Sequence, residues 1–107
     1  MLKRVLLDEC VPKRLRGELA DHFVQTVTEK NWNGIKNGQL LRLAATEFDC
    51  FFTVDRNLQF QQSPALPIAV LVLLASDNRF ETLRALMPAA RAALQEMQPY
   101  ELRRVGI

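Results

Sequence analysis

The segment IAVLVLL, residues 68–74, contains no polar side chain. A strand that is buried on one face alternates polar and apolar residues, whereas a continuous apolar run of this length is typical of a strand covered on both faces. Such strands occur in parallel sheets that pack between two layers of helices. The segment therefore predicts an α/β fold with a buried, mainly parallel sheet.

Three further apolar or β-branched runs precede this segment, at residues 5–7, 23–28 and 50–54. Apolar residues with helical spacing separate them, over residues 12–21 and again up to residue 48. Strands that alternate with helices predict βαβ units, in which neighbouring strands run parallel.

The sequence after residue 74 has the spacing of a helix. An apolar stripe starts near Asn78, and Pro88 is expected to kink or split the helix because proline lacks the N–H group that a helix interior requires. Residues 101–105 are predicted to form a fifth strand, at an edge of the sheet. Together these elements predict a single three-layer α/β/α domain over residues 1–107, with a mainly parallel sheet of four or five strands.

The composition excludes several classes of function. The 14 basic and 12 acidic side chains give a net charge of +2, so no global basic field indicates a nucleic-acid binder, and any such function requires a local site. The single histidine, His22, excludes acid–base chemistry that needs two. Together with Cys10 and Cys50 it is too little for a structural zinc site, which takes about four ligands.

Cysteine usage and hydropathy predict the compartment. Two cysteines without a secretion signal are expected to be reduced thiols in a cytoplasmic protein. The longest apolar run, residues 68–75, is far shorter than the roughly 20 residues that span a bilayer. No membrane association is therefore expected.

Aspartates follow three of the first four apolar runs: Asp8, Asp55 and Asp77. The carboxyl ends of parallel strands share one edge of a sheet, and ligand sites form there where the strand order reverses. If the order of the strands is 2-1-3-4, Asp8 and Asp55 face each other about one strand spacing apart, roughly 5 Å.

Two ionised carboxylates at that distance repel each other by about 3–4 kcal/mol at an effective dielectric constant near 20, so they are expected to share a proton or bind a cation. Oxygen ligands select Mg²⁺ or Mn²⁺, which activate water and stabilise charge on a phosphodiester. The alternative is that such aspartates cap helices and turns, a role that fits Asp77 best. Glu9 is expected to lie at the surface or behind the site, because strand alternation points it away from Asp8.

The motifs LLDECVP, residues 6–12, and TVDRNL, residues 53–58, with a loop and a helix between them, resemble the compact PIN-like proteins of unknown function. Those proteins read approximately LLDENLP near the start and TxDRDF after the third strand, and they are kin to PIN-domain ribonucleases, many of which are toxins of bacterial toxin–antitoxin pairs. The resemblance covers a little more than the first half of the chain well and the remainder in outline. It implies that Asp8 and Asp55 are catalytic and metal-binding residues.

The chain departs from the pattern of that family at two further positions. Asn37, which is also a candidate helix cap, stands where the family has an acid, and Asn57 replaces a frequent aspartate. An amide oxygen can bind Mg²⁺ directly or through water, but it adds no charge, so the ion is held more weakly and a second ion is disfavoured. Asp77 is a further candidate ligand that would compensate.

Basic and polar residues near the two aspartates are expected to bind the substrate: Arg56, Lys36 and Asn57. An ion pair between Arg56 and a neighbouring acid is an equally good interpretation. The resemblance and the acids together predict a Mg²⁺- or Mn²⁺-dependent ribonuclease that acts on RNA as a toxin-like component with an antitoxin. The alternative is a catalytically silent PIN-like module that binds an antitoxin or a second copy of itself.

Overall fold

The computed structural model describes residues 2–55 and 67–106. Within them the chain forms five strands, three α-helices and one 3₁₀ helix. In chain order the elements are β1 (Arg4–Leu7), the 3₁₀ helix (Lys13–Leu19), β2 (Phe23–Thr26), α1 (Asn37–Ala45), β3 (Cys50–Thr53), β4 (Ala69–Leu74), α2 (Phe80–Arg84), α3 (Met87–Glu96) and β5 (Leu102–Gly106).

The five strands form one sheet in the order β2-β1-β3-β4-β5, and every neighbouring pair is parallel. The chain goes outward from β1 to β2, crosses to the other side of β1, and continues outward through β3, β4 and β5. This arrangement confirms the α/β prediction and the 2-1-3-4 order. The fifth strand lies at an edge, as predicted, over residues 102–106.

Apolar clusters cover both faces of the sheet. Side chains of successive residues point to opposite faces of a strand, so Phe51 packs in the cluster that includes α1, and Phe52 packs in the cluster that includes the 3₁₀ helix, α2 and α3. Both phenylalanines are fully buried. Burial of such a side chain contributes about 1.5–3 kcal/mol, so the three layers are held together from both sides of β3.

The first helix differs from the prediction over residues 12–21. It is a 3₁₀ helix over Lys13–Leu19, and the Leu15 N–H donates to the Pro12 carbonyl three residues earlier. Gly17 in the middle of this short segment disfavours the α-helix because glycine loses the most backbone entropy on folding.

The start of α1 differs from the prediction, whereas the break in the C-terminal helical region agrees with it. The prediction that Asn37 caps α1 is wrong, because the capping position is Lys36, whose backbone is extended, and Asn37 is the first helical residue. Pro88 splits the C-terminal helix as predicted. It lies in the first turn of α3, where its missing N–H would have no partner within the helix.

Among the helices of the described residues, none is long and apolar enough to cross a membrane.

Candidate functional site

The strand order brings the ends of β1 and β3 together. Leu7 is in register with Phe52, and the N–H of the next residue, Asp8, donates a 2.9 Å hydrogen bond to the Phe52 carbonyl. Asp55 follows β3 by two residues. Both aspartates therefore leave adjacent parallel strands at the same edge, at the point where the chain order reverses between β1 and β3.

The hydroxyl of Thr53 connects the two aspartates. Thr53 is fully buried at the end of β3, and its Oγ1 donates a 2.7 Å hydrogen bond to Asp8 Oδ2. The same Oγ1 accepts a 3.1 Å hydrogen bond from the Asp55 N–H. Since a hydroxyl has a single hydrogen to donate, this pairing fixes the orientation of the Asp8 carboxylate relative to the Asp55 backbone.

Asp8 has two further donors, both close in sequence. The Glu9 N–H donates to Oδ1 at 2.8 Å, and the Cys10 thiol donates to Oδ2 at 3.4 Å. All the donors to this carboxylate are uncharged. Over residues 2–55 and 67–106 the ion pairs of Lys and Arg are made with other acids, so no basic side chain of this part neutralises Asp8.

Cys10 is held as a protonated thiol. Burial is the main cause that raises its pKa, and the negative charge of Asp8 raises it further. The sulfur also lies 3.8 Å from Thr53 Oγ1. A thiol in this state is a weak hydrogen-bond donor rather than a nucleophile, because the thiolate is the reactive form.

A cavity of about 390 Å³ opens at this edge of the sheet. Asn78, in the loop between β4 and α2, closes one side by donating from its side-chain nitrogen to the Cys10 carbonyl at 3.1 Å. The cavity is lined by polar and charged side chains together with two apolar residues: Asp8, Glu9, Cys10, Val11, Pro12, Lys13, Thr26, Thr28, Glu29 and Asn78.

Glu9 lies at the rim of this cavity. Its side chain is exposed, and its carboxylate accepts a 3.1 Å hydrogen bond from Asn33. The Asn33 amide also donates to Thr28 Oγ1 at 3.0 Å, so the loop after β2 is tied to the end of β1.

Asp77 forms a local turn directly before α2, whose capping position is Arg79. Its carboxylate accepts a 2.9 Å hydrogen bond from the Arg79 N–H at the start of α2. This backbone bond, followed by a hydrogen bond from the Thr82 side chain, lowers the pKa of Asp77, which is exposed. The neighbouring Asn78 borders the cavity, whereas Asp77 does not. These contacts support a role for Asp77 in the turn before α2, rather than as the cap of the helix, over a role in metal binding.

The structure gives few or no contacts for the other predicted site residues. Lys36 is exposed at the start of α1. Arg56 and Asn57 lie outside the described residues, as does the side chain of Asn37. Within the described residues no group of three or more histidine, cysteine, aspartate or glutamate side chains is placed to hold a metal ion.

Two residues whose side chains donate to the Asp8 carboxylate were not predicted from the sequence: Thr53 and Cys10. Thr53 did give a signal, since it is a hydroxyl side chain within an apolar run that is buried on both faces, and a buried hydroxyl requires a partner. Cys10 gave none beyond its position two residues after Asp8.

The chain matches no protein-family model, no curated protein and no solved structure.

Proposed function

We propose that this chain is a PIN-like, divalent-cation-dependent ribonuclease whose centre is the edge between β1 and β3. The observation that carries this proposal is the Thr53 hydroxyl, which joins the Asp8 carboxylate to the Asp55 backbone at the reversal of strand order. Ligand sites of open parallel sheets form at that position. The resemblance of residues 6–12 and 53–58 to PIN-like proteins supports the same assignment.

The donor chemistry of Asp8 fits one hard cation. A carboxylate has about four acceptor positions, and Asp8 uses two on Oδ2 and one on Oδ1. The donors of the described residues therefore leave one position on Oδ1 for a ligand. Asp8 and Asp55 would hold Mg²⁺ or Mn²⁺, with Asn37 as a neutral ligand, directly or through water.

When bound, such an ion supplies an activated water and positive charge at the scissile phosphodiester. Asp8 and Asp55 orient it, and the protonated Cys10 does not compete as a nucleophile. Arg56, Lys36 and Asn57 are assigned to the phosphates of the RNA. By the same resemblance, the protein acts in the cytoplasm as a toxin-like component whose partner is an antitoxin.

Cleavage of a labelled RNA in the presence of Mn²⁺ or Mg²⁺ tests this function. We expect Asp8→Asn and Asp55→Asn each to abolish cleavage, because an amide supplies no negative charge to the cation. Asp21→Asn is the matched control, since Asp21 pairs with Arg91 on the surface and should leave cleavage unchanged. Cleavage that survives both site substitutions would remove the proposal.

A second candidate is a catalytically silent module that binds an antitoxin or a second copy of the chain. The observation in its favour is the small number of acids, with no group of three potential ligand side chains among the described residues. Calorimetric titration with Mn²⁺ separates the two candidates. Heat of binding that is lost in Asp8→Asn supports the nuclease, and no binding together with no cleavage supports the module.

A further inference from the structure

A second, larger groove lies between the 3₁₀ helix and the edge strand β2. Its volume is about 660 Å³. Lys13 lines both this groove and the cavity at Asp8, so the two lie side by side. Phe23, at the far end of the groove, is in register with Arg4 at the start of β1. The groove borders β2 at its first two residues, Phe23 and Val24.

The charged side chains that line this groove are all basic. Among its described lining residues three are basic and none is acidic: Lys13, Arg14 and Arg16. Arg14 packs its guanidinium 4.1 Å from the centre of the Phe80 ring, and Arg16 pairs with Glu29. The groove is therefore complementary to a polyanion that passes Lys13 on its way out of the Asp8 cavity.

Phe23 adds an aromatic surface to this basic groove. It is 64% exposed, although it begins a strand whose backbone is paired with β1. Aromatic side chains beside basic ones form the stacking platforms on which single-stranded nucleic acids place their bases. The combination distinguishes this groove from a solvated helix face.

We propose that the groove binds the continuation of a single-stranded RNA whose phosphodiester lies at Asp8. Lys13 and Arg14 contact phosphates, and a base stacks on Phe23. This inference rests on the proposed function, and it adds a requirement for RNA that extends beyond the scissile bond in one direction.

An extended acidic peptide added to the edge of β2 is the competing occupant. Strand addition needs the outward N–H groups of the edge strand. The Thr26 N–H is already taken by Glu29 Oε1 at 2.9 Å, and the Glu29 N–H donates back to Thr26 Oγ1 at 3.0 Å. This reciprocal pair closes the end of β2 that lies nearest to Asp8, which favours RNA.

The test measures binding by fluorescence anisotropy of a labelled 12-nucleotide oligouridine, with chelator present, so that no divalent cation is involved. Phe23→Ala should weaken binding about tenfold, and Phe23→Trp should restore it, because base stacking on an aromatic ring contributes on the order of 1–3 kcal/mol. Tyr100→Ala is the matched control, an exposed aromatic residue outside the groove.

A second substitution blocks the groove without removing any contact. A Cβ on Gly17 would meet no atom of the described residues within 4 Å, so a side chain can start there without a clash at Cβ, and Gly17→Glu adds a negative charge to the lining of the groove. We expect it to weaken binding at least as much as Phe23→Ala. Lys13→Gln should lower the dependence of log K on log salt by about 0.7, the value for one phosphate contact of a single strand.

The outcomes separate this inference from the proposed function. Oligouridine binding that is unchanged in both Phe23→Ala and Gly17→Glu overturns the groove assignment, even if Asp8→Asn abolishes cleavage. An oligoglutamate peptide that competes better than oligouridine of equal length also overturns it. Binding that depends on Phe23 supports the groove even if cleavage survives substitution of Asp8 and Asp55, a result that would remove only the nuclease.

Discussion

Asp8 and Asp77 follow buried parallel strands in the same way, but the structure uses them differently. Asp8 accepts a hydrogen bond from the side chain of a residue 45 positions away, whereas Asp77 accepts one from a backbone N–H two positions away. The first contact exists only when β1 and β3 are adjacent. The second needs nothing beyond the turn into α2.

The comparison shows that an acid at a strand end becomes part of a site through its neighbours in the fold. β4, which precedes Asp77, is flanked by β3 and β5, and the chain continues directly into a helix that needs a cap. β1, which precedes Asp8, meets β3 at the reversal of strand order, where Thr53 is available. Substitutions at Thr53 and at Asp77 therefore test the difference between the two aspartates.

The largest effect is expected from Thr53→Val, which removes the hydroxyl but keeps the shape. Asp8 loses its shortest hydrogen bond, and the Asp55 N–H loses its acceptor. Leaving a buried polar group without its partner costs about 1–3 kcal/mol, which should lower Tm by about 5 °C or more in a domain of this size. If the proposed function is right, cleavage should also fall about tenfold or more, as for residues that orient metal ligands.

Thr53→Ser is the matched control, because it retains the hydroxyl. Cleavage and Tm near those of the original protein in Thr53→Ser, with both lowered in Thr53→Val, assign the effect to the hydrogen bonds. Equal losses in the two variants would show that retaining the hydroxyl does not protect the site, and would contradict the role given to it.

A smaller effect on stability, and none on cleavage, is expected from Asp77→Ala. The pKa of Asp77 is lowered in the folded protein by the Arg79 N–H, so its carboxylate stabilises the fold above the pKa of the unfolded chain. That contribution is lost as the pH falls below about 4 and the group becomes protonated in both states. The Tm difference between Asp77→Ala and the original protein should therefore shrink below that pH, and thermal melts at several pH values measure it.

A Tm difference that stays constant from pH 7 down to pH 3 would show that the charge of Asp77 does not stabilise the start of α2. Reduced cleavage in Asp77→Ala at pH 7 would instead place Asp77 in the site and contradict its assignment to the turn before α2.

The pattern of apolar residues was sufficient to predict the sheet, because β1, β3 and β4 are short, buried apolar runs and the segments that join β1, β2 and β3 include residues with helical spacing. The adjacency of β1 and β3 was the condition on which the prediction for Asp8 and Asp55 depended, and the strand order meets that condition. The apolar pattern did not predict the 3₁₀ helix, since the difference from an α-helix depends on a few backbone bonds around Gly17. The cap of α1 was misplaced for a similar reason, because a boundary shift of one residue leaves the apolar spacing unchanged.

The side-chain contacts of the site could not be predicted from the sequence for a different reason. A period-2 pattern gives the face to which Thr53 belongs, but not which side chain at the end of a neighbouring strand will accept its hydrogen bond. That partner is decided by register, and Asp8 meets Thr53 because Leu7 pairs with Phe52. The approach of the Cys10 sulfur to Thr53 depends on the same register.

The two cysteines provide the smallest and most local test of the Asp8 environment. Burial raises the pKa of Cys50 to about 12, so this thiol should resist alkylation at pH 8, whereas the partly exposed Cys10 should react slowly. Asp8→Asn removes a negative charge that raises the pKa of Cys10, so it should speed alkylation of Cys10 and leave Cys50 unchanged. Asp77→Asn, at another strand-end acid, should change neither rate. Labelling followed by peptide mass spectrometry measures both sites in one sample, and a Cys10 rate that is indifferent to Asp8→Asn would contradict the contact between the thiol and the carboxylate.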